Sequence, residues 1–172
     1  MDNERLVEEI SSHIIAISSL LGIPVTESNE GTPKRVAKMY CNELFRNRND
    51  DFLDELNDSM KLFPNEGTTT PVILEGIEFH SVCEHHWLPF SGTVKVSYVP
   101  NNHIVGLSKI PRVVKYFSKR PQLQERLTKE IGEYLVDWLQ PLSLTVEVKA
   151  THSCVMCRGA ESNCVTTTTF EY

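Results

Sequence analysis

Cys83-Glu84-His85-His86 sets a thiol and an imidazole three residues apart, and His152 and Cys154 stand two apart further along the chain. One turn of backbone can aim Cys83 and His86 at a single point. Thiolate and imidazole donors suit zinc where thiols are kept reduced. The cysteines are at 41, 83, 154, 157 and 164. An odd number without a secretory leader argues against a disulfide framework and for metal or thiol chemistry. Two ligand sets stay open. Cys83, His86, Cys154 and Cys157 would close a structural site, whereas three ligands would leave a fourth position for the water that a catalytic zinc needs. A buried Cys83 thiol with hydrogen-bonding histidines is the plainer alternative. A zinc deaminase wants a spacer before its glutamate and a proline before its Cys-x-x-Cys. Glu84 directly follows Cys83 and no proline precedes Cys154, which sets that reading aside.

These residues need elements to position them. Leu6, Ile10, Ile14, Ile17 and Leu21 recur at helical spacing before Gly22 and Pro24, predicting an amphipathic helix over about 4–21. Thr32-Pro33 reads as a cap followed by proline at the first helical position. Val36, Tyr40 and Leu44 are then expected inside, with Arg35 and Lys38 outside. A polar stretch from Arg46 to Asp51 leads into a short helix through Leu53, Leu56 and Met60.

Residues 71–80 predict a strand, and Val94, Val96 and Tyr98 alternate with polar residues as in a half-buried strand. Pro100-Asn101-Asn102 is a turn, with His103 in a loop and His80 on a strand. Ser108 can cap a helix that turns Leu107, Ile110, Val114 and Phe117 inward. A second helix follows with Leu123, Leu127, Ile131, Tyr134 and Trp138, ended by Pro141. Leu144, Val146, Val148 and Ala150 then alternate with polar residues, and continued parity would carry His152, Cys154 and Arg158 to the same buried face. Cys157 has the opposite parity unless the chain bends first. Residues 158–163 read as a turn and 164–172 as a strand. His13 reads as surface, Cys41 and Cys164 as buried or partly buried thiols, and Trp87 and Trp138 as packing residues. The expected class is α+β: N-terminal helices, then strand-strand-helix-helix-strand-strand with an antiparallel sheet.

The 172 residues suit one domain, with 1–66 as an N-terminal helical region and 67–172 as the strand-rich core. A globule of this length buries roughly 70% of its unfolded surface and needs no staples. With 40% hydrophobic and 23% charged residues, collagen, coiled-coil rod and wholesale disorder are excluded. No apolar run is long enough for a membrane helix. Met1-Asp2-Asn3-Glu4 is acidic where a signal peptide would be basic, so a cytoplasmic protein is expected. A net charge of -6 speaks against nucleic acid as partner but allows a small anion held by a few local cations.

Five stretches resemble GTP cyclohydrolase I of the zinc-dependent type. They are Thr-Pro-Lys-Arg-Val-Ala-Lys-Met-Tyr (32–40), Cys-Glu-His-His (83–86), Gly-Leu-Ser-Lys-Ile-Pro-Arg (106–112), Arg-Pro-Gln-Leu-Gln-Glu-Arg-Leu-Thr (120–128) and His-Ser-Cys-Val-Met-Cys-Arg-Gly (152–159). The resemblance implies a tunnelling fold and a toroidal homo-oligomer, usually a decamer, with sites at subunit interfaces. It implies conversion of GTP and water to 7,8-dihydroneopterin triphosphate and formate. By that resemblance Cys83, His86 and Cys154 hold zinc, and His85 and His152 are the catalytic histidines. His152 would protonate guanine N7 and His85 would serve the later ribose rearrangement. Zinc lowers the pKa of bound water to about 7, which would supply hydroxide for C8.

Glu125, helped by Gln124, would read the guanine ring N–H and amine. Without the resemblance, Glu125 and Lys129 read as an exposed pair one turn apart. Arg35, Lys38, Lys109, Arg112 and Arg158 would contact the triphosphate, with Ser108 adding a hydroxyl at a helix start. The chain departs from the family pattern at Cys157, at residues 160–164 and in ending at Tyr172, where family members usually continue into a further helix. The competing readings are a non-catalytic zinc-stabilised binding or assembly protein and a sibling hydrolase that stops at the ring-opened formamide.

Overall fold

A computed structural model of the protein describes residues 2–49 and 52–172. Asp50 and Asp51, at the end of the expected polar stretch, lie outside the described residues, as does Met1. Two compact units divide between Arg46 and Asn47.

In the first unit, α1 spans Asn3–Leu20 and α2 spans Thr32–Met39. Asp2 caps α1 by accepting from the Glu4 N–H. Its far end closes as expected at Gly22, whose φ of 68° is open to glycine without a Cβ penalty. The Ile23 N–H returns to the Ser18 carbonyl there. Thr32 is the first residue of α2, not its cap; its hydroxyl accepts from the Arg35 guanidinium. A π-helical turn over Tyr40–Leu44 prolongs α2. Ala37 and Cys41 are the buried residues of this stretch, packing with Val7, while Val36, Tyr40 and Leu44 are half-buried. The inward face is therefore one residue later than the spacing predicts.

The second unit begins with α3 (Leu53–Ser59) and β1 (Leu62–Pro64). The main strands are β2 (Val72–Cys83) and β3 (Pro89–Val99), followed by β4 (His103–Val105) and α4 (Lys109–Ser118). Next come β5 (Pro121–Gln122), α5 (Gln124–Leu139) and β6 (Ser143–His152). A helical turn, α6 (Ser153–Met156), precedes β7 (Thr166–Glu171). The expected order of strands and helices is present, with three short strands added. His103 lies in one of these, β4, pairing opposite Pro64.

The five-stranded sheet runs β5-β2-β3-β6-β7, antiparallel except for the parallel β2–β5 pair. α4 packs on β2, and α5 on β6 and β7. The core between them holds Phe79, Val94, Val96, Ile110, Val114, Leu127, Ile131, Leu135, Val146 and Val148. Leu107 is 62% exposed, unlike the inward residue its position suggests. It precedes the helix, so the helical stripe does not carry it inside.

β2 contains a bulge: Leu74 pairs with Val96 and Ile77 with Val94, so Glu75-Gly76 together oppose Lys95. Gly76 has φ of 73°. The extra residue changes the phase of the strand. Val72 and Leu74 pack on the core before it, and Ile77, Phe79 and Cys83 do so after it, while Val82 is buried outside that cluster. The bulge thus turns odd-numbered Cys83 to the inner side. Among the described residues no helix is long and apolar enough to cross a membrane.

Candidate active site

The hairpin joining β2 to β3 carries Glu84, His85 and His86. The Trp87 N–H closes on the Cys83 carbonyl at 2.8 Å, and the Cys83 N–H on the Leu88 carbonyl at 2.9 Å. Trp87 takes φ of 53°, an uncommon conformation for a bulky side chain, and is 56% exposed rather than packed away. This tight reversal leaves Cys83 buried and puts His86 beside it, with Nδ1 3.9 Å from the Cys83 Sγ. His85 is exposed, its Nδ1 also 3.9 Å from that sulfur.

β6 delivers the other half. It ends at His152, and the chain then winds into α6 instead of continuing as a strand. Strand parity therefore does not carry Cys154 or Arg158 to the site; Cys154 is delivered by the helical turn and Arg158 by the chain that follows it. The ligand atoms of Cys83, His86 and Cys154 lie within 4.8 Å of one another. Two thiols and an imidazole in such proximity fit a soft divalent ion of the zinc kind. Cys157 lies outside this cluster: its thiol is exposed and donates to the Ser153 carbonyl at 2.8 Å. Cys164 is exposed as well, contrary to its expected burial, because it precedes β7 in the loop. Burial pushes the Cys154 thiol pKa up, and the neighbouring Cys83 pushes it the same way.

His152 is half-buried and lies flat on Phe90, its cross-strand partner, with ring centroids 4.6 Å apart and planes 3° from parallel. Burial lowers its pKa, opposed by the Glu125 carboxylate. Gln124, at the start of α5, meets His152 Nε2 at 2.8 Å. Gln124 is 2% exposed, whereas neighbouring Glu125 is exposed. Lys129 pairs with Glu133 at 3.6 Å.

Arg158 reaches back to His86, with Nη1 2.7 Å from Nε2. Ser108, Lys109 and Arg112 stand together at the start of α4. Ser108 occupies the cap position without a side-chain cap bond, and its hydroxyl is exposed. Lys109 is half-buried and Arg112 exposed. Arg35 and Lys38 are exposed on α2 of the first unit.

Two contributors were missed by sequence reasoning. Phe90 gives His152 its platform; the pairing of β3 with β6 that makes them neighbours leaves no local signal. Glu84 receives both guanidinium arms of Arg126, at 2.6 and 3.0 Å, tying the hairpin to α5. That contact holds the Glu84 carboxyl below its usual range, against a smaller opposing effect of burial. Its only local hint is that each residue adjoins one already singled out.

A family model described as GTP cyclohydrolase I matches residues 5–172. The chain is 42% identical over 163 residues to GTP cyclohydrolase 1 of Blochmanniella pennsylvanica, covering 93% of this chain and 72% of that protein. It is 40% identical over 173 residues to GTP cyclohydrolase 1 of Porphyromonas gingivalis, covering 100% of this chain and 88% of that one. Among solved structures, an apo archaeosine synthase QueF-Like aligns with a TM-score of 0.52 at 20% identity, covering 62% of this chain and 95% of that one. That likeness is one of fold, and it agrees with the mixed sheet-and-helix tunnelling fold described above. A match running almost from end to end, at about two residues in five, places this chain in the GTP cyclohydrolase I family of enzymes.

Proposed function

We propose that the chain hydrolyses and rearranges GTP to 7,8-dihydroneopterin triphosphate, releasing formate, with zinc held by Cys83, His86 and Cys154. The observation that carries this reading is the convergence of those three donors, with His152 two residues before Cys154, in a chain of this family. Zinc there would supply a hydroxide nucleophile near neutral pH. The protein's own residues do the rest. In its charged form His152 donates to the guanine N7, which makes C8 electrophilic, and burial, by lowering the imidazole's pKa, makes that form the stronger acid. His85, exposed on the hairpin, serves the later proton transfers of ribose opening. Glu125, whose charge is felt at His152, accepts from the guanine ring N–H and amine.

Ser108, Lys109 and Arg112 hold the triphosphate, joined by Arg158 and by Arg35 and Lys38. Assembly into a toroidal homo-oligomer, a decamer, completes each site from neighbouring subunits, and the enzyme acts in the cytoplasm. Incubating zinc-loaded protein with GTP and identifying products by mass tests the reading. Dihydroneopterin triphosphate with one formate per GTP is the expected result. GTP returned unchanged overturns it, and formate with a ring-opened nucleotide but no pterin means a hydrolase that stops midway.

A further inference from the structure

Gln124 is buried, and the polarity of its surroundings is forced. Its Nε2 lies 3.0 Å from the Val148 carbonyl, 3.0 Å from the Thr166 carbonyl and 3.2 Å from the Thr168 hydroxyl. Backbone carbonyls only accept, so the amide nitrogen must face β6 and β7. Flipping the amide would set its oxygen against two carbonyls in a buried site. The hydroxyls agree. Thr128 donates to the Gln124 backbone carbonyl at 2.8 Å, so its oxygen must accept from Thr168 across their 2.6 Å contact. Thr168 is then left able to accept from Gln124. With the nitrogen committed, Oε1 is the atom 2.8 Å from His152 Nε2. An amide oxygen cannot donate, so that ring nitrogen carries a hydrogen whether the imidazole is neutral or charged.

We infer that Gln124 is a positioning residue which holds His152 with hydrogen on Nε2, leaving Nδ1 as the nitrogen that exchanges a proton with the substrate. Phe90 fixes the plane of the ring and Gln124 its rotation within that plane. Gln124 is thereby engaged on its own protein, and guanine reading falls to Glu125. The inference rests on the role proposed above for His152.

The test is the nitrogen NMR spectrum of zinc-loaded protein labelled with 15N-histidine, with His152 assigned by its loss in His152→Asn. A protonated Nε2 and an unprotonated Nδ1 in the neutral ring are expected. A neutral ring protonated at Nδ1, or an even mixture, overturns the inference even if the protein turns over GTP. A correct tautomer in a protein that leaves GTP unchanged instead sinks the reaction proposed for it. In Gln124→Met the tautomers should mix and kcat should fall by roughly tenfold or more, with zinc content kept and KM for GTP within about twofold. An unaltered tautomer and kcat in that variant would overturn the inference. Should Gln124→Met fail to fold, Thr168→Val makes the same comparison more mildly, with Thr168→Ser expected to restore the wild-type spectrum. A Thr168→Val spectrum and kcat identical to wild type would then count against the relay.

Discussion

His152 and Phe90 face each other across the β3–β6 ladder with their rings parallel and 4.6 Å apart. The pair places a titratable ring at the last residue of a strand, on a buried aromatic surface, where the next residue already belongs to a helical turn. Phe90→Leu keeps much of the volume but removes the flat support. Stability should fall by about 1 kcal/mol, read as a denaturant midpoint, while kcat falls several-fold and KM for GTP hardly moves. A variant that loses stability and kcat in strict proportion to its unfolded fraction would contradict this.

The cysteines of the Cys-x-x-Cys stretch should behave differently. Cys154→Ser removes a donor of the three-residue cluster and should abolish tight zinc binding. Cys157→Ser removes only a thiol bonded to the Ser153 carbonyl and should keep full zinc occupancy and turnover. Metal analysis after gel filtration reads both. Loss of zinc from Cys157→Ser would instead make the site a closed, structural one.

The Glu84–Arg126 pair gives a pH dependence with a definite sign. Arg126 holds the Glu84 pKa below its ordinary value, so in the folded state the carboxylate resists protonation. The pair's contribution is present above the ordinary carboxylate pKa and disappears as pH falls through the lowered one. Arg126→Met should therefore be less stable than wild type at neutral pH, and the gap should close in acid. Urea titrations of both proteins from neutral to acid pH check it; a gap that widens in acid would show that the pair does not act this way.

Gly132 lies inside α5, where alanine is normally favoured by about 1 kcal/mol. A Cβ there would come within 2.2 Å of the Phe170 ring on β7. Gly132→Ala should therefore destabilise the protein by about 1–3 kcal/mol despite better helix propensity. Hydrogen exchange should rise first along β7. Gly132→Ala combined with Phe170→Leu should recover part of the loss.

Gly76 sets the phase of β2. An alanine at its φ of 73° is strained by about 1–2 kcal/mol. Deleting Glu75 removes the extra residue and should leave either a strand with Cys83 turned outward or a displaced bulge. Zinc binding is expected to drop far more in the deletion than in Gly76→Ala, by metal titration. Equal zinc affinity in all three proteins would rule out the bulge as the device that orients Cys83.

Much of what depends on neighbours along the chain was legible beforehand, although the cap and inner face of α2 were each placed one residue off. The alternation of Leu144, Val146, Val148 and Ala150 specifies β6 and its inner face, because strand side chains repeat every two residues. Gly22 and Pro141 stop their helices because one tolerates positive φ and the other lacks an N–H. The thiol and imidazole types at 83, 86 and 154 could be picked out as candidate metal donors, but their spacing left more than one ligand set open. Tertiary structure alone decided which residues meet. The bulge at Glu75-Gly76 reverses the parity of Cys83, and α6 replaces the strand parity expected to deliver Cys154. Gln124, adjacent to an exposed glutamate, became the most committed amide of the site. Register, bulges and burial depend on free energies shared among distant segments, so no local window contains them.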